Sequence, residues 1–159
     1  MSGFVSRPPT PAPPAATTAG VIAGGWWPDV DLDALRAAMR VDPAVTNPRL
    51  RDEALLAIID VQDELSLWAA AHLAAGHVAL ASVPAATVDD ESRLVLLYVG
   101  AVRNATAARL LGQFADIGAT RSGEVREDER RVTEPSHAVL MRQAIRALLA
   151  RPRMTVDLI

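Results

Sequence analysis

The chain contains no cysteine and no lysine, and it is poor in aromatic residues, with three Trp, one Tyr and two Phe among 159 residues. The lack of cysteine excludes disulfide bonds, thiolate metal sites and thiol chemistry. All 16 basic residues are arginines, a bias that a GC-rich coding sequence explains without any role in phosphate binding. The formal net charge of -3 does not favour a protein that neutralises many phosphates. We therefore expect any contact with DNA to be transient and non-specific.

Long, strongly apolar runs are also missing. The stretch from residue 69 to 86 is mostly alanine and is interrupted by His72, Gly76, His77 and Pro84, whereas a membrane span needs about 20 consecutive apolar residues. No leucine-rich run follows a basic start within the first 25 residues, so a secretory signal is not predicted. We expect a soluble protein without a membrane partner.

Motifs of catalysis and of metal binding are absent or incomplete. One Glu-x-x-His occurs, at Glu134 and His137, but di-iron bundles need two such motifs and two further glutamates, and Pro135 interrupts this one. The sequence has no glycine-rich phosphate loop, no HExxH and no GxSxG. It therefore predicts no catalytic residue, no metal and no cofactor, and hence no enzyme.

The chain divides into an arm, one domain and a tail. Residues 1–25 contain Arg7 as their only charge and five closely spaced prolines, so we expect a polyproline-II-like arm. The prolines are Pro8, Pro9, Pro11, Pro13 and Pro14. Residues 26–151 have the apolar content of a single helical domain, and residues 152–159 form a docking tail.

Helical periodicity recurs in four segments of the domain, each with a start signal. The signals are, in chain order, Asp29 or Asp31, Thr46 with Asn47 and Pro48, Asp89 with Asp90, and Ser136. The expected ends are about Arg40, Ala75 before Gly76, Ile117, and the residue before Pro152. The charge-dense segment 120–136 is consistent with either a helix or a loop. The sequence thus predicts an all-α fold: a small antiparallel bundle of about four helices with extended N- and C-terminal arms.

The second helix has an apolar stripe and an acidic side. The apolar positions at helical spacing are Leu50, Leu55, Ile58, Ile59, Leu65, Ala69 and Leu73. The acidic side carries Asp52, Glu53, Asp60, Asp63 and Glu64. Small residues such as Ala101 and Ala105 on the third helix permit close approach, so we expect these two helices to pack antiparallel.

Two features suggest docking. Trp26 and Trp27 precede the first helix and are expected to act as anchors, with Trp27 the more buried. In the tail, apolar side chains alternate with polar ones behind two arginines, a pattern that suits addition of a strand at a partner's edge. The tail residues assigned to docking on a partner or a neighbouring subunit are Arg151, Arg153, Met154, Val156 and Leu158.

A set of short motifs resembles the GpL-type head completion and stabilisation proteins of tailed phages with contractile tails. They are Trp27 to Asp31 (WPDVD), Met39 to Asp42 (MRVD), Thr46 with Arg49-Leu50-Arg51, Glu64-Leu65 with Trp68, Val83-Pro84, Leu97-Tyr98, Ala101-Val102 and Arg151-Pro152-Arg153. They span about residues 26 to 153. The sequence departs from the expected pattern at Pro135, within what should be a longer helix.

The resemblance implies a head-tail connector, or adaptor, located in the neck of the virion after synthesis in the host cytoplasm. Its expected partners are the portal protein, a neck or tail-completion protein, and further copies of itself in a ring with the portal's twelvefold symmetry. Such a ring stabilises the filled head after DNA packaging and provides the attachment platform for the tail. The acidic side of the second helix is the candidate wall of the DNA channel.

Two alternatives from other classes remain open at this point. One is a non-viral helical interaction module that uses its proline-rich arm as a ligand. The other is a helical-bundle enzyme or metal protein.

Overall fold

The structure, a computed structural model, describes residues 20–39, 41–118 and 136–150. Four α-helices dominate them, which confirms the predicted all-α fold. The elements are β1 (Val21–Ile22), β2 (Val30–Asp31), α1 (Leu32–Met39), α2 (Asn47–Ala74), a 3-10 turn (Leu80–Ser82), β3 (Thr87–Val88), β4 (Glu91–Ser92), α3 (Arg93–Gly118) and α4 (His137–Leu148). The strands form two separate two-stranded antiparallel hairpins, β1 with β2 and β3 with β4.

Helices α2 and α3 pack antiparallel and form the centre of the core, as predicted. Contacts between them join late residues of one helix to early residues of the other, as in Gln62 with Tyr98 and Glu53 with Arg109. Alanines at buried positions of both helices, among them Ala57 and Ala101, leave room for close approach. Helix α4 packs mainly on α3 and buries Ile145 and Leu148.

Helix α3 is apolar enough over Arg93–Gly112 to span a membrane by length and composition, with a mean hydropathy of 1.3 in its most apolar window. Half of that window is buried inside the bundle. A core helix meets the same length and composition test.

Side-chain hydrogen bonds at two helix starts confirm the predicted caps. Asp31 Oδ1 accepts from the backbone N–H groups of Asp33 and Ala34, at 2.8 and 3.1 Å. Ser136 Oγ accepts from Val139 N at 3.4 Å. These bonds satisfy donors that the first turn of a helix leaves free.

The start of α2 is only partly as predicted. Thr46 occupies the N-cap position and Pro48 the first turn, but the Thr46 side chain makes no capping hydrogen bond. Asn47 Oδ1 instead accepts from Arg36 Nη2 at 2.9 Å, and the same nitrogen donates to Val45 O at 2.7 Å. The Asn47 side chain therefore ties α1 to the start of α2 rather than capping it.

Helix α2 ends at Ala74 with Ala75 as its C-cap, within one residue of the predicted end before Gly76. Gly76 has φ +91°, a left-handed conformation that suits glycine. His77 N donates to His72 O at 3.1 Å, and Gly76 N donates to Leu73 O at 3.0 Å. This pair of bonds is the Schellman motif, and it folds the chain back over the last turn of α2.

Asp89 and Asp90 do not cap α3, so that prediction is wrong. They form the two-residue turn of the β3–β4 hairpin, with φ of 53° and 58°. Two-residue hairpin turns favour left-handed conformations at both central positions, and Asp tolerates them better than most residues. Helix α3 begins only at Arg93, where Arg93 N donates to Ala86 O at 2.9 Å.

The predicted boundary between the arm and the domain, after residue 25, lies several residues too far along the chain. In β1, Val21 pairs with Asp31 and Ile22 pairs with Val30, and Ile22 is buried. Residues 20–25 therefore belong to the folded domain, because Ile22 has an apolar partner that the arm composition did not reveal. Residues 1–19 of the predicted arm lie outside the described residues.

The apolar stripe predicted for α2 is too wide. Leu50, Ile58, Leu65 and Ala69 are buried as expected, but three stripe positions are exposed. Their exposed fractions are 37% for Leu55, 51% for Ile59 and 52% for Leu73. The side that α3 covers is lined instead by smaller residues, notably Ala54, Ala57 and Val61.

Candidate docking site around the paired tryptophans

A tight turn between β1 and β2 presents Trp26 and Trp27. Gly24 N donates to Asp29 Oδ1 at 2.8 Å, and Trp27 N donates to Gly24 O at 3.2 Å. A Cβ atom on Gly24 would lie 2.3 Å from Trp27 O and 2.4 Å from Pro28 O. Both obstacles are backbone atoms, so the turn requires glycine at position 24.

Trp27 stacks on Tyr98 of α3, with ring centroids 4.8 Å apart and planes at 15°. Tyr98 is fully buried, and its hydroxyl accepts from Gln62 Nε2 at 2.9 Å. Burial raises the pKa of Tyr98 above its ordinary value, and the hydrogen bond from Gln62 opposes part of this rise. Trp27 is thereby placed directly over the α2–α3 interface.

Trp26 joins the same turn to the end of α2. Its Nε1 donates to His77 O at 2.9 Å, and its carbonyl accepts from Leu80 N at 2.9 Å. Its ring meets Trp27 and Trp68 edge to face, at centroid distances of 4.9 and 6.3 Å. Both tryptophans of the turn are half-buried and pack against the core.

Two histidines complete this group. Sequence spacing predicts that His72 and His77 do not share a helix face, yet the Schellman turn brings their rings to a centroid distance of 5.5 Å. The ring centroid of His72 also lies 4.2 Å from that of Trp68. We call this set the aromatic clasp: Trp26, Trp27, Trp68, His72, His77 and Tyr98. Among the residues that the structure describes, no group of three or more acidic or histidine side chains could hold a metal ion.

A pocket of about 410 Å³ lies beside the clasp. Six of its lining residues define what we call the tryptophan pocket: Trp26, Trp27, Pro28, Asp90, Glu91 and Ser92. The Ser92 Oγ atom is buried and has no hydrogen-bond partner within the described part of the chain. The pocket thus combines aromatic walls, two exposed carboxylates and one unsatisfied hydroxyl.

The predicted acidic side of α2 is divided in two by the structure. Arg109 of α3 donates through Nε to Glu53 Oε2 at 2.9 Å and through Nη1 to Asp60 Oδ2 at 3.0 Å. Glu53 is buried, unlike the exposed position expected for it, because this arginine reaches it across the helix interface. Asp60 is exposed although it is paired with Arg109, and Asp52, Asp63 and Glu64 are exposed as well.

The exposed side of α2 also carries apolar residues that sequence reasoning placed in the core or did not single out. With the three exposed stripe positions, Leu56 and Leu67 complete an outer apolar set, and Leu67 is 87% exposed. Exposed carboxylates and exposed apolar side chains are therefore interspersed along one helix. Only knowledge of the side that α3 covers could have found this surface.

His137, the histidine of the single Glu-x-x-His motif, has a structural partner. Its Nδ1 lies 3.0 Å from Asn104 Oδ1, while Asn104 Nδ2 donates to Gly100 O at 2.8 Å. This contact joins the start of α4 to α3. The predicted docking residues of the tail lie outside the described residues: Arg151, Arg153, Met154, Val156 and Leu158.

The described residues form a small all-α fold, and their most elaborate site is the aromatic clasp with its adjoining pocket. The family model described as phage head completion protein (GPL) matches residues 21–159. The chain is also 30% identical over 132 residues to the head completion/stabilization protein of Escherichia phage P2, covering 83% of this chain and 78% of that protein. No solved structure matches.

This chain belongs to the phage head completion protein family. Membership gives it a structural role in assembly of a bacteriophage head, as a component of the virion. The family is one of structural proteins and not of enzymes.

Proposed function

We propose that the chain is a head-tail connector subunit, which forms a ring on the portal after DNA packaging. The ring stabilises the filled head and provides the platform for the neck and tail. The family match over residues 21–159 carries this proposal. Membership in a family of phage structural proteins weighs against the alternative of a non-viral interaction module.

The aromatic clasp supports a docking role for this face of the molecule. It fixes Trp26 and Trp27 through contacts to α2 and α3, so both rings are held in place before a partner arrives. Preorganised aromatic side chains lose little conformational entropy on binding and are common anchors of protein interfaces. We assign Trp26 and Trp27, together with the tail residues beyond 150, to contacts with the portal or a neighbouring subunit.

The exposed acidic residues of α2 suit a wall past which DNA must slide. Asp52, Asp63 and Glu64 repel phosphates, and a wall that held many phosphates would retain the genome at ejection. We assign these three residues to the channel side. Glu53 and Asp60 instead hold Arg109.

The connector role is tested with DNA-filled heads assembled without this chain. Addition of the purified protein is expected to make the packaged DNA resistant to nuclease and the heads competent to join tails. Electron microscopy of the product should show one added ring below the portal with twelvefold symmetry. Heads that bind the protein elsewhere on the shell, or that stay nuclease-sensitive, would contradict the proposal.

The docking surface is tested separately with tail variants. Arg151→Glu with Arg153→Glu should abolish binding to purified portal. Arg103→Glu, on the exposed side of α3, reverses one charge outside the proposed docking surface and should leave binding intact. Both proteins should melt at the parental temperature, because surface substitutions change stability by about 0.5 kcal/mol or less. Equal binding by both variants would show that the two tail arginines do not contribute to binding the portal.

The channel assignment has its own test. Replacing Asp52, Asp63 and Glu64 together with arginine should slow DNA ejection from completed virions, and added salt should relieve the delay. In the matched control, Asn, Asn and Gln replace the same three residues and keep the side-chain shapes. Virions with this variant should eject DNA at nearly the parental rate. Unchanged ejection by the arginine variant would place these residues away from the channel.

A further inference from the structure

The tryptophan pocket has the chemistry of a site for a proline-rich segment. Its walls include Trp26, Trp27 and Pro28, and aromatic-lined grooves bind polyproline-II segments through the flat faces of proline rings. Its volume of about 410 Å³ falls within the range of binding pockets, roughly 300–1,000 Å³. The pocket therefore has a size and a lining that suit such a ligand.

The hydrogen-bonding groups of the pocket point to the same class of ligand. Trp27 Nε1 has no hydrogen-bond partner among the described residues, and the Ser92 hydroxyl is unsatisfied. Both groups can donate. A proline-rich segment offers carbonyl acceptors and few N–H donors, because proline has no backbone N–H. Donors in the pocket thus complement acceptors in the ligand.

The chain itself contains a matching segment. Residues 8–14 read PPTPAPP, and Arg7 immediately before them is the only charge in the first 25 residues. The pocket carries the opposite charge, because Asp90 and Glu91 at the tip of the β3–β4 hairpin line it and are exposed. A cation that directly precedes the prolines can therefore lie against the acidic edge while the prolines cover the tryptophans.

The distance along the chain permits binding within one molecule. Five residues, 15–19, join Pro14 to Gly20, and they span up to roughly 17 Å when extended. Only the two-residue strand β1 separates Gly20 from the turn that carries Trp26. A short tether also gives the segment a high effective concentration, on the order of millimolar.

We propose that the tryptophan pocket binds the chain's own proline-rich segment, residues 8–14, with Arg7 facing Asp90 and Glu91. The inference does not rest on the proposed function, because the isolated protein suffices to test it; a partner that docks on Trp26 and Trp27 would displace the segment.

The test uses the full-length chain with a nitroxide on Ser6→Cys, which is the only thiol because the chain has no cysteine of its own. If the segment occupies the pocket, the nitroxide broadens the indole N–H signal of Trp27 in an NMR spectrum more than that of Trp68. Replacing all five prolines of the segment with alanine should return the Trp27 signal to the width seen with free nitroxide. Equal broadening in the parent and in this variant would overturn the proposal.

Charge reversal gives a second, independent measurement. Arg7→Glu should lower the ratio of docked to free segment about two- to fivefold, the size expected for exposed ion pairs. Adding Asp90→Arg and Glu91→Arg to that variant should restore the ratio, while Arg103→Glu alone should leave it unchanged. Failure of the reversed acidic residues to restore docking would overturn the assignment of Arg7.

A mixed sample identifies the source of the segment. Isotope-labelled protein without a nitroxide is combined with unlabelled protein that carries it. Broadening in protein that carries both labels, together with none in this mixture, supports binding within one chain. Broadening that arises between molecules and grows with concentration would show exchange between copies and overturn the intramolecular assignment.

Discussion

Two regions that join distant parts of the chain use different chemistry. In the aromatic clasp, Trp26 and Trp27 reach α2 and α3 through ring contacts and two hydrogen bonds to backbone groups. Across the first half of α2, the guanidinium of Arg109 holds Glu53 and Asp60. The clasp excludes water from apolar rings, whereas the ionic contact draws a carboxylate into a mostly buried position.

The difference predicts how each region responds to its surroundings. Ring stacking and apolar burial depend weakly on salt, while ion pairs that are partly exposed are screened. Arg109 is 34% exposed at its side chain, so solvent weakens its contribution. We therefore expect the loss of an aromatic ring from the clasp to cost more stability than the loss of the ionic contact.

The largest effect is expected for Trp27→Ala. This change removes the stack on Tyr98 and opens a cavity over the core, and the free energy of unfolding should fall by about 3 kcal/mol. Chemical denaturation measures the loss. Trp27→Phe keeps a ring in place and should lose less than half as much. Equal losses for the two variants would show that stacking contributes little.

Gly24→Ala should follow, with a loss of about 2 to 3 kcal/mol, because the new Cβ meets two backbone oxygens in a tight turn. Gly25→Ala is the matched control, since a Cβ there meets nothing within 4 Å. It should cost only about 1 kcal/mol, from the left-handed backbone at φ +67°. A lower melting temperature for Gly25→Ala than for Gly24→Ala would contradict the described geometry of the turn.

Arg109→Met should lower stability by about 1 to 2 kcal/mol, because Glu53 then loses a charged partner while remaining buried. The loss should shrink in high salt, which weakens the ion pairs of the parent. Arg103→Met removes an exposed charge from the same helix and should change stability by less than about 0.5 kcal/mol. A salt-independent loss at Arg109 would assign its role to packing.

Tyr98→Phe should cost about 1 kcal/mol at neutral pH, since it removes the hydrogen bond from Gln62. Its larger consequence is at alkaline pH. The pKa of Tyr98 is raised on folding, so above about pH 10 the unfolded chain releases the phenol proton while the folded chain retains it. The stability of the parent should therefore fall as pH rises through 10 and beyond.

The composition makes this titration clean. The chain has one tyrosine, no cysteine and no lysine, so no other side-chain type titrates near pH 10. The melting temperature of the parent should fall between pH 10 and the raised pKa of Tyr98. The melting temperature of Tyr98→Phe should stay nearly constant over the same range. Parallel curves for both proteins would contradict the burial of the phenol.

Features fixed by neighbours in sequence could be predicted. Asp31 and Ser136 cap their helices, and Gly76 ends α2, because each acts on backbone groups within a few residues. The antiparallel packing of α2 and α3 also follows from their lengths and small buried residues. These caps and helix ends depend on residues close to them in sequence.

Features fixed by distant neighbours could not be predicted. Asp89 and Asp90 have the composition of a helix cap, but the β3–β4 pairing makes them a hairpin turn. The exposed positions Leu55 and Ile59 resemble core residues until the side covered by α3 is known. In the candidate site, Trp27 was expected as an anchor, but its partner Tyr98 lies 71 positions away and no spacing rule links them.

The bond from Trp26 Nε1 to His77 O joins groups 51 positions apart, and this separation has a kinetic consequence. Closing this loop costs more entropy than closing the smaller loop of residues 75–92, which joins α2 to α3. The α2–α3 hairpin should therefore form before the clasp closes. A substitution that weakens the clasp, such as Trp27→Ala, should then accelerate unfolding and leave the folding rate almost unchanged. We therefore expect closure of the N-terminal turn to be a late step of folding and to govern how long the folded molecule persists.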